Sequence, residues 1–520
     1  MAALNIDYFG LKVIEKDVKK IKKLLSYLTV KEIPAPGRPK HFGMKTYKCM
    51  IRQKDEFYIP TAAYDLAFSM GMVEKYEYLP PVVRKIRNLK MENKNFFSYQ
   101  MAAINHVNEL YKVKNYAYLE IGTGLGKTRI GCGLIGTLKE PTLIVCPTDA
   151  IANQWIEEYK KIFPMSKISM FKNSMKNLPT PADYDAIVVI INTLRAKPGS
   201  FYKGYGLIIF DEAHEYQSEK SRNIFWYSQN TRMLGLSASP NERKDGMDFI
   251  INKFLGNPIG KNDIEDFDTS DINFKVNVNI INYEGHDDHC GTVIGPTGTM
   301  SAILTIGNII TDPFRNKLIA NEVYKYLTMK ISKTEEKRHG IFVFAEHREY
   351  LSDIKTEIQN KFKNISIMVP ELDDYEDYNE YEDYELTDDE EEPVEEDERI
   401  DLDNVNQNIS VLKGGVSKNA VDDAKKEKAH VVLTTYGFSR RGISLPDMTC
   451  IILATPRRNG MNQVVGRILR RNSDHTITRE IIDIVDVCTG LKPQIGERQK
   501  LYKARGYTIN RVKVNWQDVE

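Results

Sequence analysis

The sequence predicts an α/β protein with two parallel-sheet domains in tandem, preceded by a small N-terminal accessory domain. Three observations carry this. From about residue 92, short β-rich apolar runs alternate with stretches of helical period, the pattern of βαβ units that build a parallel sheet. The same alternation resumes at about residue 311 after a less regular stretch. At 520 residues the chain is too long for one ordinary core, and 42% hydrophobic content suffices to bury two or three.

Taken in order, residues 1–91 lie outside both series. A lysine-rich helical start (Lys16, Lys19, Lys20, Lys22, Lys23) is followed by a break at Pro34-Ala35-Pro36-Gly37 and a strand-like KTYKCMIRQ. The lysines either grip phosphates or form a solvated helix face. Residues 92–258 supply the strands YAYLEI, TLIVCP, AIVVII, LIIF and MLGLSAS. Residues 259–310 read as an inter-domain linker. Residues 311–520 supply a helix, DPFRNKLIANEVYKYL, and the strands GIFVFAE, ISIMVP, AHVVLTTY, CIILATP and IIDIVD. An acidic, tyrosine-studded run at 371–403 interrupts this second series. It cannot bury enough apolar area to order itself and is expected to be a disordered insertion.

Lys+Arg and Asp+Glu each number 72, so the formal net charge is zero, but the balance is local. Glu371 to Ile400 holds 18 acidic residues against Arg399, which leaves an excess of about 17 positive charges on the rest of the chain. That excess suits a polyanionic partner; a merely solvated basic surface is the competing reading. The six cysteines form no CxxC pair, which points to a reducing compartment. His286, His289 and Cys290 make an HxxHC cluster without a fourth ligand nearby, so it reads as a loop rather than a zinc site. The N-terminus has no long apolar segment and the longest apolar runs are strand-sized, so neither secretion nor membrane spanning is expected.

The chemistry sits at strand ends, where open α/β sheets bind ligands. After YAYLEI comes Gly122-Thr123-Gly124-Leu125-Gly126-Lys127-Thr128, a glycine-rich turn whose N–H groups can converge on a phosphate. Lys127 would reach the β/γ-phosphates of ATP and Thr128 would hold Mg²⁺. The strict pattern wants glycine where Ile121 stands, so the match is to a looser form. After LIIF comes DEAH: Asp211 is placed to hold Mg²⁺ and Glu212 to orient and deprotonate the attacking water. His214 would couple that site to Ser237-Ala238-Ser239. Far downstream, QVVGRILR carries Gln463, Gly466, Arg467 and Arg470; the two arginines lie three apart on one face of an expected helix and suit the charge of a transferring phosphoryl group. A helix that exposes two arginines to water is the bland alternative.

This ordered set, with Tyr99-Gln100, PTDAIANQW, LGLSASP and TTYGFSRRGIS, resembles the superfamily 2 helicases over roughly residues 92–490. It looks most like the XPB and UvsW type, and more narrowly like the transcript-release helicases of nucleocytoplasmic large DNA viruses, poxviral and African swine fever virus members included. GTGLGKTRI, LGLSASPNERKDGMD and YGFSRRGIS followed by ATPRRNGMNQ carry the narrower match. The resemblance implies two RecA-like domains and an ATP-driven motor. On matching positions it implies that Gln100 reads the adenine edge, with Phe97 where the family often has arginine. It further implies that Pro147, Thr148, Asn192, Thr193 and Thr435 lie in segments touching the nucleic-acid backbone, and that Arg441-Gly442 and Gln463 belong to the nucleotide-linked segments. DNA is the favoured track, a viral RNA polymerase a candidate partner, and the cytoplasm of an infected cell, with packaging in particles, the implied location.

Three readings stay open. The first is a DNA-dependent ATPase that unwinds or reanneals strands and releases transcripts. The second is an RNA helicase of transcript processing, which would share every ATP-site residue. The third is a nonmotor assembly component using ATP as a clamp, against which Glu212, Arg467 and Arg470 argue, since a clamp can dispense with rapid hydrolysis.

Overall fold

The computed structural model describes residues 10–33, 44–53, 55–75, 78–87, 89–90, 96–175, 178–218, 221–240, 246–247, 249–269, 274–296, 298–329, 331, 338–368, 409–412, 430–439, 445, 447–458, 460–469, 474 and 476–519. The chain divides into two compact units, residues 1–273 and 274–520.

The first unit opens with β1 (Leu11–Val13), α1 (Val18–Tyr27), β2 (Thr29–Lys31), β3 (Thr46–Lys48), β4 (Ile51–Gln53), β5 (Glu56–Ile59) and α2 (Tyr64–Ser69). The strands form two small antiparallel sheets, β1-β5-β4 and β2-β3. Asp17 starts α1 by accepting from the Lys19 amide at 2.8 Å, a cap that satisfies one orphan donor. Leu24 faces inward while Lys19, Lys20, Lys22 and Lys23 are exposed. These elements share a core with the larger sheet of the unit: Leu11, Leu24, Tyr47, Ile59 and Met72 belong to one apolar cluster with Leu143, Val189, Ile208 and Phe210. The buried Gln229 adds a polar tie, its Oε1 accepting from the Thr61 amide at 2.7 Å.

That larger sheet has six parallel strands: β6 (Tyr116–Glu120), β7 (Thr142–Cys146), β8 (Ile168–Phe171), β9 (Ala186–Ile190), β10 (Leu207–Asp211) and β11 (Arg232–Ser237). Their order is β6-β11-β10-β7-β9-β8. The connecting helices are α3 (Ser98–Leu110), α4 (Lys127–Leu138), α5 (Asp149–Ile162), α6 (Ile191–Leu194), α7 (Arg222–Tyr227) and α8 (Phe249–Leu255). Every residue of β7, β10 and β11 is buried, as expected for a parallel sheet covered on both faces.

The second unit is built on seven parallel strands: β12 (Val276–Glu284), β13 (Gly340–Ala345), β14 (Ile409–Leu412), β15 (Val431–Thr435), β16 (Met448–Leu453), β17 (Arg479–Asp486) and β18 (Thr508–Asn515). The order is β14-β15-β13-β16-β17-β12-β18. Its helices are α9 (Ala302–Ile309), α10 (Pro313–Thr328), α11 (Tyr350–Met368), α12 (Tyr436–Ser439), α13 (Met461–Val465) and α14 (Ile495–Ala504). Asp312 caps α10 through the Phe314 and Arg315 amides, with Pro313 in its first turn.

Two sequence expectations change here. The interval 259–310, read as a linker, contains β12 and α9. Its asparagines hid the strand, since asparagine is depleted in sheets. Here Asn277 and Asn279 donate to the Glu480 carboxylate at 2.8 and 2.9 Å, and Asn510 donates to Asn279 at 3.1 Å, which satisfies the polar face across three strands. The run beginning at Ile365, read as the strand ISIMVP, instead continues α11 to Met368. Ile354, Ile358, Phe362 and Ile365 recur at spacings of three and four, a helical period. The acidic run 371–403 lies outside the described residues.

Candidate active site

The phosphate-binding loop runs from the end of β6 to the first residue of α4. Gly124 and Gly126 take φ of 85° and 77°, and a Cβ at Gly126 would overlap the Gln100 amide nitrogen. The loop is braced from α3: the Tyr99 hydroxyl and Gln100 Nε2 each donate to the Leu125 carbonyl at 3.1 Å. Gln100 Oε1 accepts from the Phe97 amide at 3.1 Å, and the side chain is buried. In this state the Gln100 amide therefore holds the loop, and the Phe97 ring stacks on Tyr99 at 6.0 Å. Ile121 N donates to the Ser237 carbonyl at 2.9 Å, which ties the loop to the end of β11.

Asp211 is the last residue of β10, 5% exposed, with both carboxylate oxygens engaged. Oδ1 accepts from the Glu212 amide at 3.0 Å and Oδ2 from the Trp155 indole Nε1 at 2.7 Å. Burial, and then the neighbouring Glu212 charge, push its pKa up to about 6, against the pull of Lys127 and the Trp155 bond. Glu212 sits at φ 48°, a left-handed conformation that costs a side-chain-bearing residue about 1–2 kcal/mol. Its carboxylate meets Lys127, whose Nζ is 2.9 Å from Glu212 Oε1. His214 Nδ1 lies 3.5 Å from Glu212 Oε2 and 2.8 Å from Ser237 Oγ, and Ser237 Oγ also accepts from the Ser239 amide at 3.0 Å. The expected coupling of His214 to the SAS segment is thus a direct bond.

This set fits Mg²⁺. Asp211 and the Thr128 hydroxyl are hard oxygen donors, one at the end of β10 and the other in the first turn of α4, whose first residue Lys127 reaches Glu212 beside Asp211. Pro147 and Thr148 follow β7, where Thr148 caps α5 by accepting from the Ile151 amide at 3.4 Å. Asn192 and Thr193 follow β9 in α6, with Asn192 Oδ1 accepting from Arg195 at 2.8 Å. Thus Lys127, Thr128, Asp211, Glu212, His214, Pro147, Thr148, Asn192 and Thr193 all lie at the carboxyl ends of the first sheet's strands or in the helices that follow.

In the second unit, Thr435 ends β15. The helix expected over QVVGRILR stops at Val465, with Gly466 as its C-cap. Arg467 lies beyond that helix in tighter turns, its amide bonded to the Val464 carbonyl at 3.1 Å. Gln463 Oε1 is buried without a hydrogen-bond partner among the described residues. Arg441, Gly442 and Arg470 lie outside the described residues.

Sequence reasoning missed the arginines that hold this segment. Arg479, fully buried, donates to the Ile468, Ile477 and Asp474 carbonyls at 2.7–2.8 Å. Arg498 grips Asp483 in a two-pronged pair, both bonds 2.8 Å, and donates to the Arg457 carbonyl at 2.7 Å. Arg505 donates to Asn462 Oδ1 at 2.8 Å. Aspartates in the otherwise apolar run IIDIVD were the available signal, since buried acids demand cations. The HxxHC segment remains a loop: His289 bonds Thr311 at 2.9 Å, His286 packs edge-on to Trp516, and no cluster of three metal-ligating side chains occurs among the described residues. None of the described helices is long and apolar enough to cross a membrane.

Comparison with known proteins agrees with this geometry. The family model of the type III restriction enzyme res subunit matches residues 93–242. QP509L of African swine fever virus, whose name assigns it to the ATP-dependent RNA helicases, is 34% identical over 95% of this chain and 89% of its own length. The DNA 3'-5' translocase XPB2 of Sulfurisphaera tokodaii is 30% identical over 28% of this chain and 31% of its own. A fragment assigned to the HsdR subunit of a Vibrio vulnificus type I restriction enzyme superposes with a TM-score of 0.52 at 15% identity, covering 92% of this chain and 77% of that one, which speaks for the fold of two RecA-like domains. The chain belongs to the superfamily 2 helicases, ATP-hydrolysing enzymes, alongside the viral helicase QP509L.

Proposed function

We propose that this enzyme is an ATP-driven translocase on DNA that unwinds or reanneals strands and releases transcripts during viral transcription, in the cytoplasm of an infected cell. The observation that carries the motor reading is the Lys127–Glu212 pair at 2.9 Å beside the strained Glu212 backbone. Lys127 neutralises the general base until a triphosphate draws the ammonium away. Glu212 then accepts the proton of the attacking water, and His214 passes the state of the site to Ser237. Thr128 and Asp211 would hold Mg²⁺, which would supply charge neutralisation at the phosphates. Arg467 and Arg470 supply the cations of the transition state. Pro147, Thr148, Asn192, Thr193 and Thr435 hold backbone phosphates, so stepping is independent of sequence and sensitive to salt.

The DNA track is supported by the restriction-enzyme family model and by the name of the archaeal translocase. Its rival, an RNA helicase with an identical ATP site, is favoured by the name of the viral relative. Steady-state ATP hydrolysis without nucleic acid, with single-stranded DNA, with branched DNA and with RNA, at two salt concentrations, separates them. Strong stimulation by DNA over RNA is expected. Preference for RNA would promote the rival, and absence of stimulation would reduce the protein to an ATP clamp.

A further inference from the structure

Three motif-bearing elements of the first unit meet at one buried indole. Trp155, on α5, is fully buried; its Nε1 donates to Asp211 Oδ2 at 2.7 Å. Its ring lies against α4 so closely that a Cβ at Gly131 would overlap Cη2 and stand 3.1 Å from Cζ3. A second link joins the same two helices, Arg129 Nε to Glu158 Oε1 at 2.6 Å. The N-cap of α5 is Thr148, seven residues from Trp155, about 10 Å along a stiff helix. An indole N–H can donate and never accept, so this bond to a buried carboxylate cannot exchange roles, and it is charge-assisted.

We propose that Trp155 is a positioning residue that couples nucleic-acid binding at the start of α5 to the orientation of Asp211, and thereby to Mg²⁺ affinity. The proposal rests on the reading that Pro147 and Thr148 contact the nucleic-acid backbone. A strand bound there shifts α5 as a rod, and the indole carries the displacement to the carboxylate while Gly131 lets the ring slide against α4. Reciprocity requires that Mg²⁺-nucleotide binding tighten the grip on nucleic acid by the same factor.

The test is Mg²⁺-dependent binding of a fluorescent ADP, with and without a deoxythymidine oligonucleotide, in the wild type, Trp155→Phe and Gly131→Ala. The phenylalanine keeps an aromatic ring in the core and removes the donor. The alanine keeps the donor and displaces the ring. In the wild type the oligonucleotide lowers the Mg²⁺ midpoint. In Trp155→Phe the midpoint rises about 10-fold, the scale for losing an outer-shell partner of a metal ligand, and the oligonucleotide no longer shifts it. Oligonucleotide affinity in the absence of nucleotide, read by anisotropy, stays at the wild-type value. Gly131→Ala weakens the shift through a different atom. A wild-type midpoint and shift in Trp155→Phe would overturn the proposal, as would a wild type that binds the oligonucleotide with no shift. A wild type that binds no oligonucleotide would overturn the reading of Pro147 and Thr148, and the coupling with it.

Discussion

Replacing Arg498 by methionine should destabilise the second unit by about 3–5 kcal/mol, the cost of stranding one member of a buried ion pair. The side chains of Arg498 and Asp483 are 2% and 0% exposed, and two 2.8 Å bonds join them. Without the guanidinium, Asp483 keeps the Tyr502 hydroxyl at 2.9 Å, a neutral donor, in a site that water does not reach. The Arg457 carbonyl also loses its donor at 2.7 Å, which loosens the segment leading to Arg467. The pair should nonetheless be replaceable as a unit: Arg498→Met with Asp483→Leu and Tyr502→Phe removes the stranded charge and its hydroxyl partner, leaves the Arg457 carbonyl as the one acceptor without its former donor, and should return to within about 1–2 kcal/mol of wild type. Native-state hydrogen exchange on peptides from β16 and β17 reports this unit separately from the first. A loss below about 1 kcal/mol in Arg498→Met, or a triple variant no better than the single one, would show that the buried charge does not set the cost.

Lys127→Ala should abolish ATP turnover, whereas Arg467→Ala should spare ATP binding and lower kcat by about 10³-fold, roughly 4 kcal/mol; unchanged turnover in Arg467→Ala would remove its assignment. Gly235→Ala should cost about 1–3 kcal/mol by overpacking, because the added methyl would stand 2.5 Å from Leu255 Cδ1 and 2.7 Å from Tyr118 Cδ2; a denaturation midpoint equal to wild type would contradict this. His339 is buried, bonded to Thr449 at 2.9 Å, and held down to about 4 by burial and then by Arg479. Its folded-state pKa lies below its unfolded one, so the unfolded chain takes up the proton first. The resulting stability, on the order of 3 kcal/mol, is complete above about pH 6.5 and is lost as pH falls through about 4; His339→Asn should flatten that limb of a urea-midpoint profile. Deleting residues 371–403 should tighten nucleic-acid binding by removing like charge, as read by anisotropy at low salt, and unaltered affinity would mark the run as a passive insertion.

The placement of the candidate site was legible because its signals are local. A glycine turn before a lysine, and an acid after four apolar residues, declare their local structure within a few positions, so the turn before Lys127 and the strand end at Asp211 and Glu212 could be placed from sequence alone. The features that escaped depend on distance along the chain. The Trp155–Asp211 bond spans 56 positions, and a buried ion pair of the second unit, Arg315 Nε to Asp486 Oδ1 at 2.7 Å, spans 171; no window of sequence records such partners. Strand β12 escaped for a related reason: its asparagines look like loop residues until Glu480 and Asn510, from two other strands, are seen to satisfy them. The end of α13 at Val465 carried no such signal: Gly466 keeps a right-handed backbone at φ −60°, where glycine's freedom is not needed, so the reading ran the helix on to the arginines.

If hydrolysis at Lys127, Asp211 and Glu212 drives movement along DNA, the motor should push an obstacle off its track. Displacement of streptavidin from a biotinylated end of single-stranded DNA, compared between wild type and Lys127→Ala with and without ATP, is the decisive assay. Wild type should clear the block only with ATP, and Lys127→Ala should not clear it at all. DNA-stimulated hydrolysis that never displaces the block, or displacement confined to RNA, would rule out a DNA translocase.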